Sequence, residues 1–258
     1  MWEHRDVATE QIAILSDVHG NLTALDAVLA DVERRGITRI LNLGDDVGKG
    51  PRGSAVVDRT EQVCEVNVRG NWDDFLPQIP DDGPPEMVWW RDELRADQRE
   101  LIARRPLCHD LLVSGRRIRL FHASATSVHT RVHFHHTPEE FAGMFAATDL
   151  TGPGPEPTMV GYGDVHDAYV ETDRGRTLFN VGSVGNALDE PSASYVILEG
   201  VPDAVEPAPF GLQIVRLPYD VEAELAVARE REMPQYAAWE QELRTGVYRA
   251  FWMALPAN

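Results

Sequence analysis

Carboxylates, imidazoles and an amide recur in this sequence at places where a chain can gather ligands. Asp17-Val18-His19 follows the apolar run Ile12 to Ser16, Gly44-Asp45-Asp46 follows Ile40 to Leu43, and Gly70-Asn71-Trp72-Asp73 follows Val63 to Val68. His122 closes another apolar run, and Gly163-Asp164-Val165-His166 follows Thr158 to Tyr162. Carboxylate, imidazole and amide oxygen are the donors that Mn, Fe, Zn or Mg sites use. Singly, each group reads as an ordinary turn, a helix cap or a surface histidine. Five of them in succession at strand ends, where α/β folds place ligands and catalytic groups, argue for a metal site.

The elements that must position these residues follow from hydrophobic spacing. Ile12 to Ser16 reads as a buried strand, and Leu22, Leu25, Val28, Leu29 and Val32 then fall at helical spacing until Gly36. Asn21 stands where a helix N-cap belongs. Strand Ile40 to Leu43, a helix over Ala55 to Gln62 and a strand over Val63 to Val68 complete a βαβαβ opening with parallel pairing. Met87 to Arg104 has the spacing of one partly exposed helix, and Leu111 to Phe121 that of a hairpin turning at Ser114-Gly115. Pro138 to Ala147 predicts a helix, Thr158 to Tyr162 a strand, and Arg174-Gly175 a second hairpin turn. Strands at Tyr195 to Leu198 and Leu212 to Leu217 precede a helical tail that Asp220 caps and Pro234 divides. From Tyr219 the chain looks structural, either covering a sheet edge or forming a contact in a homo-oligomer.

A chain of 258 residues can bury one sizeable core, so a single domain over 1–258 is expected. No apolar run reaches the length needed to cross a bilayer, and Met1 to Asp6 lacks the apolar stretch of a signal peptide. Two cysteines are too few for a disulfide framework, which points to a reducing cytoplasm. The 42 acidic residues against 24 basic ones give a formal charge of −18 and disfavour extended contact with nucleic acid or anionic membranes. An anionic substrate must therefore be drawn in by local cations, and bound metal ions would be the strongest of these.

The ordered pattern resembles the calcineurin-like metallophosphoesterases, whose motifs are D-x-H, G-D, G-N-H-D/E, a lone His and G-H-x-H. The likeness spans roughly Gln11 to Leu198. Its opening, Ser16 to Leu22, and its close, Phe179 to Gly185, look like the bacterial branch of small phosphodiesterases and diadenosine tetraphosphatase-like proteins. The resemblance implies an α/β fold of two packed mixed β-sheets flanked by helices, with a catalytic core over about 11–200 and a C-terminal strand and helices over 201–258. It implies two divalent cations, Mn or Fe foremost, with Mg, Zn and Ni as alternatives. Asp17, His19, Asp45 and His166 would hold one, and Asp45 would bridge to a second held by Asn71, His122 and Asp164. A bridging carboxylate sets such ions about 3.5–4 Å apart, where they generate a hydroxide for in-line attack on phosphorus. The implied substrate is a small phosphoester or nucleotide.

Two positions depart from the family pattern. Asp164 stands where the second metal expects an imidazole, and Trp72 stands in place of the catalytic His. Indole cannot act as a general acid. A metal-binding regulatory or scaffold protein with weak or no catalysis is the alternative that these departures motivate. The His129 to His136 segment holds four histidines, of which His129 is the candidate to bind the scissile phosphate or protonate the leaving oxygen. Lys49, Arg52 and Arg131 are candidate phosphate contacts, Trp89 and Trp90 candidate stacking or packing residues, and Asp46 and Asp73 candidate supports for neighbouring ligands. Ser183 has no spacing that supports a nucleophilic triad.

Overall fold

The computed structural model describes residues 8–249; Met1 to Asp6 lies outside them. Strand β1, Glu10–Leu15, turns Ile12 and Ile14 to one face and Ala13 and Leu15 to the other, and all four are buried. A strand apolar on both faces belongs in the middle of a sheet covered on both sides. Accordingly β1 pairs in parallel with β2 (Arg39–Asn42) and antiparallel with β9 (Ala193–Gly200). Strands β3 (Val66–Asn67) and β10 (Phe210–Leu217) complete a first sheet of order β10-β9-β1-β2-β3. The second sheet comprises β4 (Cys108–Val113), β5 (Arg116–Phe121), β6 (Met159–Tyr162), β7 (Tyr169–Asp173) and β8 (Arg176–Asn180), in the order β4-β5-β6-β8-β7. Both sheets mix parallel and antiparallel pairs, as the sequence resemblance implied.

The sheets face each other across Ile12, Ile14, Leu41 and Leu43 on one side and Ile118, Leu120 and Phe179 on the other. Helices α1 (Leu22–Arg34) and α2 (Gly53–Val63) cover the outer face of the first sheet, burying Leu25, Val28, Val32 and Val56 against Ala13 and Leu15. Short helices α3 (Asn71–Phe75), α4 (Pro85–Asp92) and α5 (Ala96–Ala103) follow β3. Helix α6 (Pro138–Gly143) lies on the outer face of the second sheet through Phe141, with Met144 and Phe145 beside it. Helices α7 (Val221–Glu230) and α8 (Tyr236–Thr245) close the described chain, and the fully buried Trp239 anchors α8.

Local chemistry explains the boundaries. Asn21 Oδ1 accepts from Ala24 N at 3.0 Å and caps α1, while Asp220 Oδ1 accepts from Ala223 N at 2.9 Å and caps α7. The β4–β5 turn carries positive φ at Ser114 and Gly115, and the β7–β8 turn at Arg174 and Gly175, the pair that a tight hairpin demands. Three elements depart from their spacing. The single helix predicted over Met87 to Arg104 is two, because Gln98 Oε1 takes the backbone N–H of Arg95 and starts a new helix there. Helix α2 runs to Val63, so the strand predicted over Val63 to Val68 shrinks to two residues. The helix predicted over Pro138 to Ala147 stops at Gly143. Among the described residues no helix is long and apolar enough to cross a membrane.

Candidate metal centre

Loops leaving β1, β2, β3, β5 and β6 converge at one end of the two sheets. Those after β1 and β2 are laced together: Asp17 N–H donates to Gly44 O, His19 N–H to Asp45 O and Gly20 N–H to Asp46 O, at 2.8–2.9 Å. Asp17, His19, Asp45, Asp164 and His166 all adopt left-handed φ, between 48° and 68°. Left-handed residues bend the chain sharply just past the strand ends, so Asp17 and His19, and likewise Asp164 and His166, approach the centre from a tight bend rather than from an extended run. Such backbone costs on the order of 1–3 kcal/mol per residue and persists where the surroundings enforce it.

All three imidazoles are oriented by backbone carbonyls. His19 Nδ1 lies 3.2 Å from Val47 O, His122 Nδ1 lies 2.9 Å from Leu43 O, and His166 Nδ1 bonds Asn186 O. A carbonyl only accepts, so each Nδ1 carries a proton and Nε2 is the ring nitrogen that faces the centre, the atom available to a metal. Those atoms crowd one another. His19 Nε2 is 3.2 Å from His166 Nε2, His166 Nε2 is 3.2 Å from Asp17 Oδ1, and Asp45 Oδ2 is 3.6 Å from His19 Nε2 and 3.4 Å from His122 Nε2. Asp17, His19 and His166 form one group of donors fit for an ion, and Asp17, Asp45 and His122 another.

Buried polar atoms normally have partners. Here Asp17 Oδ1, Asn71 Oδ1 and His122 Nε2 are buried and have no hydrogen-bond partner. Converging carboxylate, amide and imidazole atoms, three of them without a partner, make a donor set that fits a cation, so the residues present suit the metal that the sequence pattern implied. Burial would raise the Asp17 carboxyl, yet His166, His122 and His19 hold it well below the usual carboxylate range. Burial raises Asp45 and, together with the charges of Lys49 and His166, lowers His19 well below its ordinary value. Burial would also depress His122, but Asp45, Asp17 and Asp164 push it up to about 10.

Neighbouring groups hold the candidate ligands in place. Asp73 accepts from the backbone N–H groups of Asp45 at 2.9 Å, Asp46 at 3.1 Å and Gly70 at 3.2 Å, and pairs with the buried Arg105. Asp46 accepts from Thr60 Oγ1 at 2.7 Å and Asn42 Nδ2 at 2.9 Å. Gly70 is required by contact, since a Cβ there would lie 2.2 Å from Asp45 Oδ1. Ser183 is a brace, donating to Asp17 O at 2.7 Å and accepting from Asn186 N–H. Because Asp73 fixes the backbone at Asp45, Asp73→Asn is expected to weaken metal affinity about 10- to 100-fold while the protein stays folded. Metal titration followed by circular dichroism checks this; unchanged affinity would sink it.

Residues 11–201 match the calcineurin-like phosphoesterase superfamily domain. The chain belongs to this family. It is thereby a metal-dependent phosphoester hydrolase. The chain is 26% identical over 247 residues to uncharacterized protein MJ0912 of Methanocaldococcus jannaschii, covering 87% of this chain and 94% of that one. A metallophosphoesterase from Sphaerobacter thermophilus superposes with a TM-score of 0.69 at 25% identity, over 92% of this chain and 99% of the other. Hypothetical protein PH1004 from Pyrococcus horikoshii shares the fold, with a TM-score of 0.70 at 15% identity and the same coverage.

Against the calcineurin-like pattern, Asp164 and Trp72 stand out again. Asp164 accepts from Arg131 Nε and Nη2, both at 2.9 Å, and from Asn71 Nδ2 at 3.0 Å, while its Oδ1 is 3.9 Å from His122 Nε2. Both its carboxylate oxygens are thus engaged by protein groups, where the resemblance gave it an ion. Trp72 packs edge-on against His19, with ring centroids 5.8 Å apart, and against Trp90. Its backbone N–H donates to Asp45 Oδ1 at 2.8 Å, which turns Oδ2 toward the imidazoles.

A cavity of about 470 Å³ opens at the centre, lined by Lys49, Trp72, Arg131, His133, Phe134 and Tyr248 among others. His129, the candidate phosphate contact or proton donor, does not line it: the half-exposed imidazole pairs with Asp74 at 2.9 Å, and His133 is the histidine of that segment at the cavity. Arg52 is likewise elsewhere, bound to Thr23 and Glu224. Trp90 is core and Trp89 packs partly buried under Arg231. Lys49 donates to Asn186 Oδ1 at 3.1 Å, and burial lowers its amine to about 8. Sequence reasoning missed Asn186, which bridges Lys49 to the buried Glu242 of α8. Nothing in the sequence marks Glu242, because a glutamate on an amphipathic helix ordinarily faces water.

Proposed function

We propose that the chain is a dinuclear metallophosphoesterase acting on small phosphodiesters or nucleotide-like phosphoesters. Asp17, His19, Asp45 and His166 would hold one ion, and Asp45, Asn71 and His122 the other. When bound, the ions supply charge for the phosphoryl oxygens and a nucleophile at neutral pH. The observation that carries this reading is the crowding of the Nε2 atoms of His19 and His166, at 3.2 Å, beside the orphaned Asp17, Asn71 and His122 atoms. The hard carboxylate and amide donors favour Mn or Fe, with Mg, Zn and Ni to be compared. The chain's own part is to orient the imidazoles through their Nδ1 bonds, shield the centre behind Trp72, and present Lys49 and Arg131 to an anion.

The test is a screen of the chelated and reloaded protein against aryl phosphodiesters, aryl phosphomonoesters, nucleotides and phosphoproteins. Turnover of a diester or nucleotide with two ions per chain is expected. Stoichiometric metal binding without turnover of any substrate would instead favour a regulatory or scaffold role, for which the absence of an imidazole at Trp72 speaks. Metal removal alone should register in stability. Native-state binding at a thousandfold excess over Kd contributes about 4 kcal/mol, so chelation should lower Tm by on the order of 10 °C. A melting curve insensitive to chelation and to added Mn would count against a resident metal.

A further inference from the structure

We propose that Asp164 serves this centre as a positioning residue rather than as a metal ligand, holding Arg131 at the cavity as a clamp for the substrate's phosphoryl oxygens and orienting Asn71 toward the second ion. The inference rests on the metallophosphoesterase reading and adds to it the residue that grips the phosphoryl group. The side chain of Asp164 is almost fully buried, whereas that of Arg131 is 44% exposed. The carboxylate takes the Nε–Nη2 edge of the guanidinium through two bonds of 2.9 Å. That fork fixes the plane of the guanidinium and turns its Nη1 side away from the carboxylate. Arg131 and Asp164 both line the cavity, and Lys49 lines it as well, held through Asn186 by Glu242. Planar bidentate donors suit phosphoryl oxygens, and the preorganised fork loses little entropy on binding them.

The loop that carries Arg131 is anchored beside it. Val132 is buried in the outer core of the second sheet, and its carbonyl accepts from Tyr162 Oη at 2.7 Å. The same carboxylate settles the Asn71 amide. Asp164 Oδ1 can only accept, so the NH₂ of Asn71 faces it at 3.0 Å, and Asn71 Oδ1 is left buried without a partner. That oxygen is the atom Asn71 would offer to a second ion. Replacing the imidazole by a carboxylate therefore gives up one direct ligand and gains a fixed cation in a chain whose formal charge is −18.

The experiment compares Asp164→Asn, Arg131→Ala, Arg131→Lys, the double variant Asp164→Asn/Arg131→Ala and His122→Ala. At saturating Mn, Asp164→Asn is expected to hold two ions per chain like the wild type, whereas His122→Ala falls toward one. The KM for an aryl phosphodiester should rise about 10- to 100-fold in Arg131→Ala and in Asp164→Asn, the loss of a charge-assisted contact. At saturating Mn, where any weakening of the second ion through Asn71 is masked, the double variant should be no worse than Arg131→Ala, because Asp164 reaches the substrate only through that side chain. Arg131→Lys should not restore KM, since an ammonium cannot form the fork. Binding of inorganic phosphate by the Mn-loaded protein, followed by calorimetry, should weaken in parallel; it needs no turnover, so it tests the clamp even if no phosphoester is hydrolysed. Loss of an ion in Asp164→Asn at saturating Mn, multiplicative effects in the double variant, or unchanged phosphate binding by Arg131→Ala would each overturn the proposal. The last stands even if Asp164→Asn fails to fold.

Discussion

Asp45→Asn is expected to bind about one ion against the two expected of the wild type, and to lose at least ~10²-fold in activity, more than the 10- to 100-fold typical of residues that merely support a ligand. One oxygen, Asp45 Oδ2, faces His19 Nε2 at 3.6 Å and His122 Nε2 at 3.4 Å, while Oδ1 is occupied by the Trp72 N–H. Asparagine is isosteric, so the fold should survive. It can place either an oxygen without charge or an NH₂ between the two sites, and neither joins two cations as a carboxylate does. Elemental analysis together with turnover of an aryl phosphodiester makes the check. Native turnover with two ions bound would show that Asp45 does not bridge.

The second large effect concerns the leaving group. With Trp72 in place of an imidazole and His129 paired to Asp74, neither residue singled out in the sequence puts a proton donor over the centre. General acid catalysis contributes about 10² to 10⁴-fold, so its absence should make the rate fall steeply as the leaving-group pKa rises. Aryl diesters and phosphoanhydrides are expected to react far faster than alkyl monoesters. His129→Ala should leave the slope unchanged. A flat dependence in the wild type that steepens in His133→Ala would instead make His133, which lines the cavity, the acid. A flat dependence in every variant would mean that chemistry is not limiting.

Much of the fold was legible in the sequence because the signals were local. Ile12 to Ser16 is apolar on both faces, Ser114-Gly115 and Arg174-Gly175 turn as their types allow, and Asn21 and Asp220 cap helices. Where tertiary contacts decide, local reading failed. The break between α4 and α5 depends on Gln98, which caps Arg95 and also reaches Ser54 and Asp58 on α2. The site divided in the same way. Asp17, His19, Asp45, Asn71, His122 and His166 announced themselves by type and by place after strands, and the structure brings them together. The partnership of Asp164 with Arg131 spans 33 positions and has no periodic signature. Asn186 and Glu242 are still less visible, since one acts through an amide and the other from a helix that looks solvated.

Helix α8 has a consequence for how the molecule is completed during synthesis. Both sheets, and every residue proposed as a ligand, have been made once Leu217 is in place. Lys49 acquires its setting only later. Glu242 must arrive to hold Asn186, and Trp239 must settle against Gly50, where a Cβ would lie 3.0 Å from its ring. Arg249, which clasps Glu242 at 2.7 Å, is later still. At about 5–20 residues per second, translation separates these events by seconds. During that interval the residues proposed as ligands are already made, while Gly246, Val247 and Tyr248, which line the cavity, are not. Order of synthesis thus completes the candidate metal centre before the cavity wall beside it.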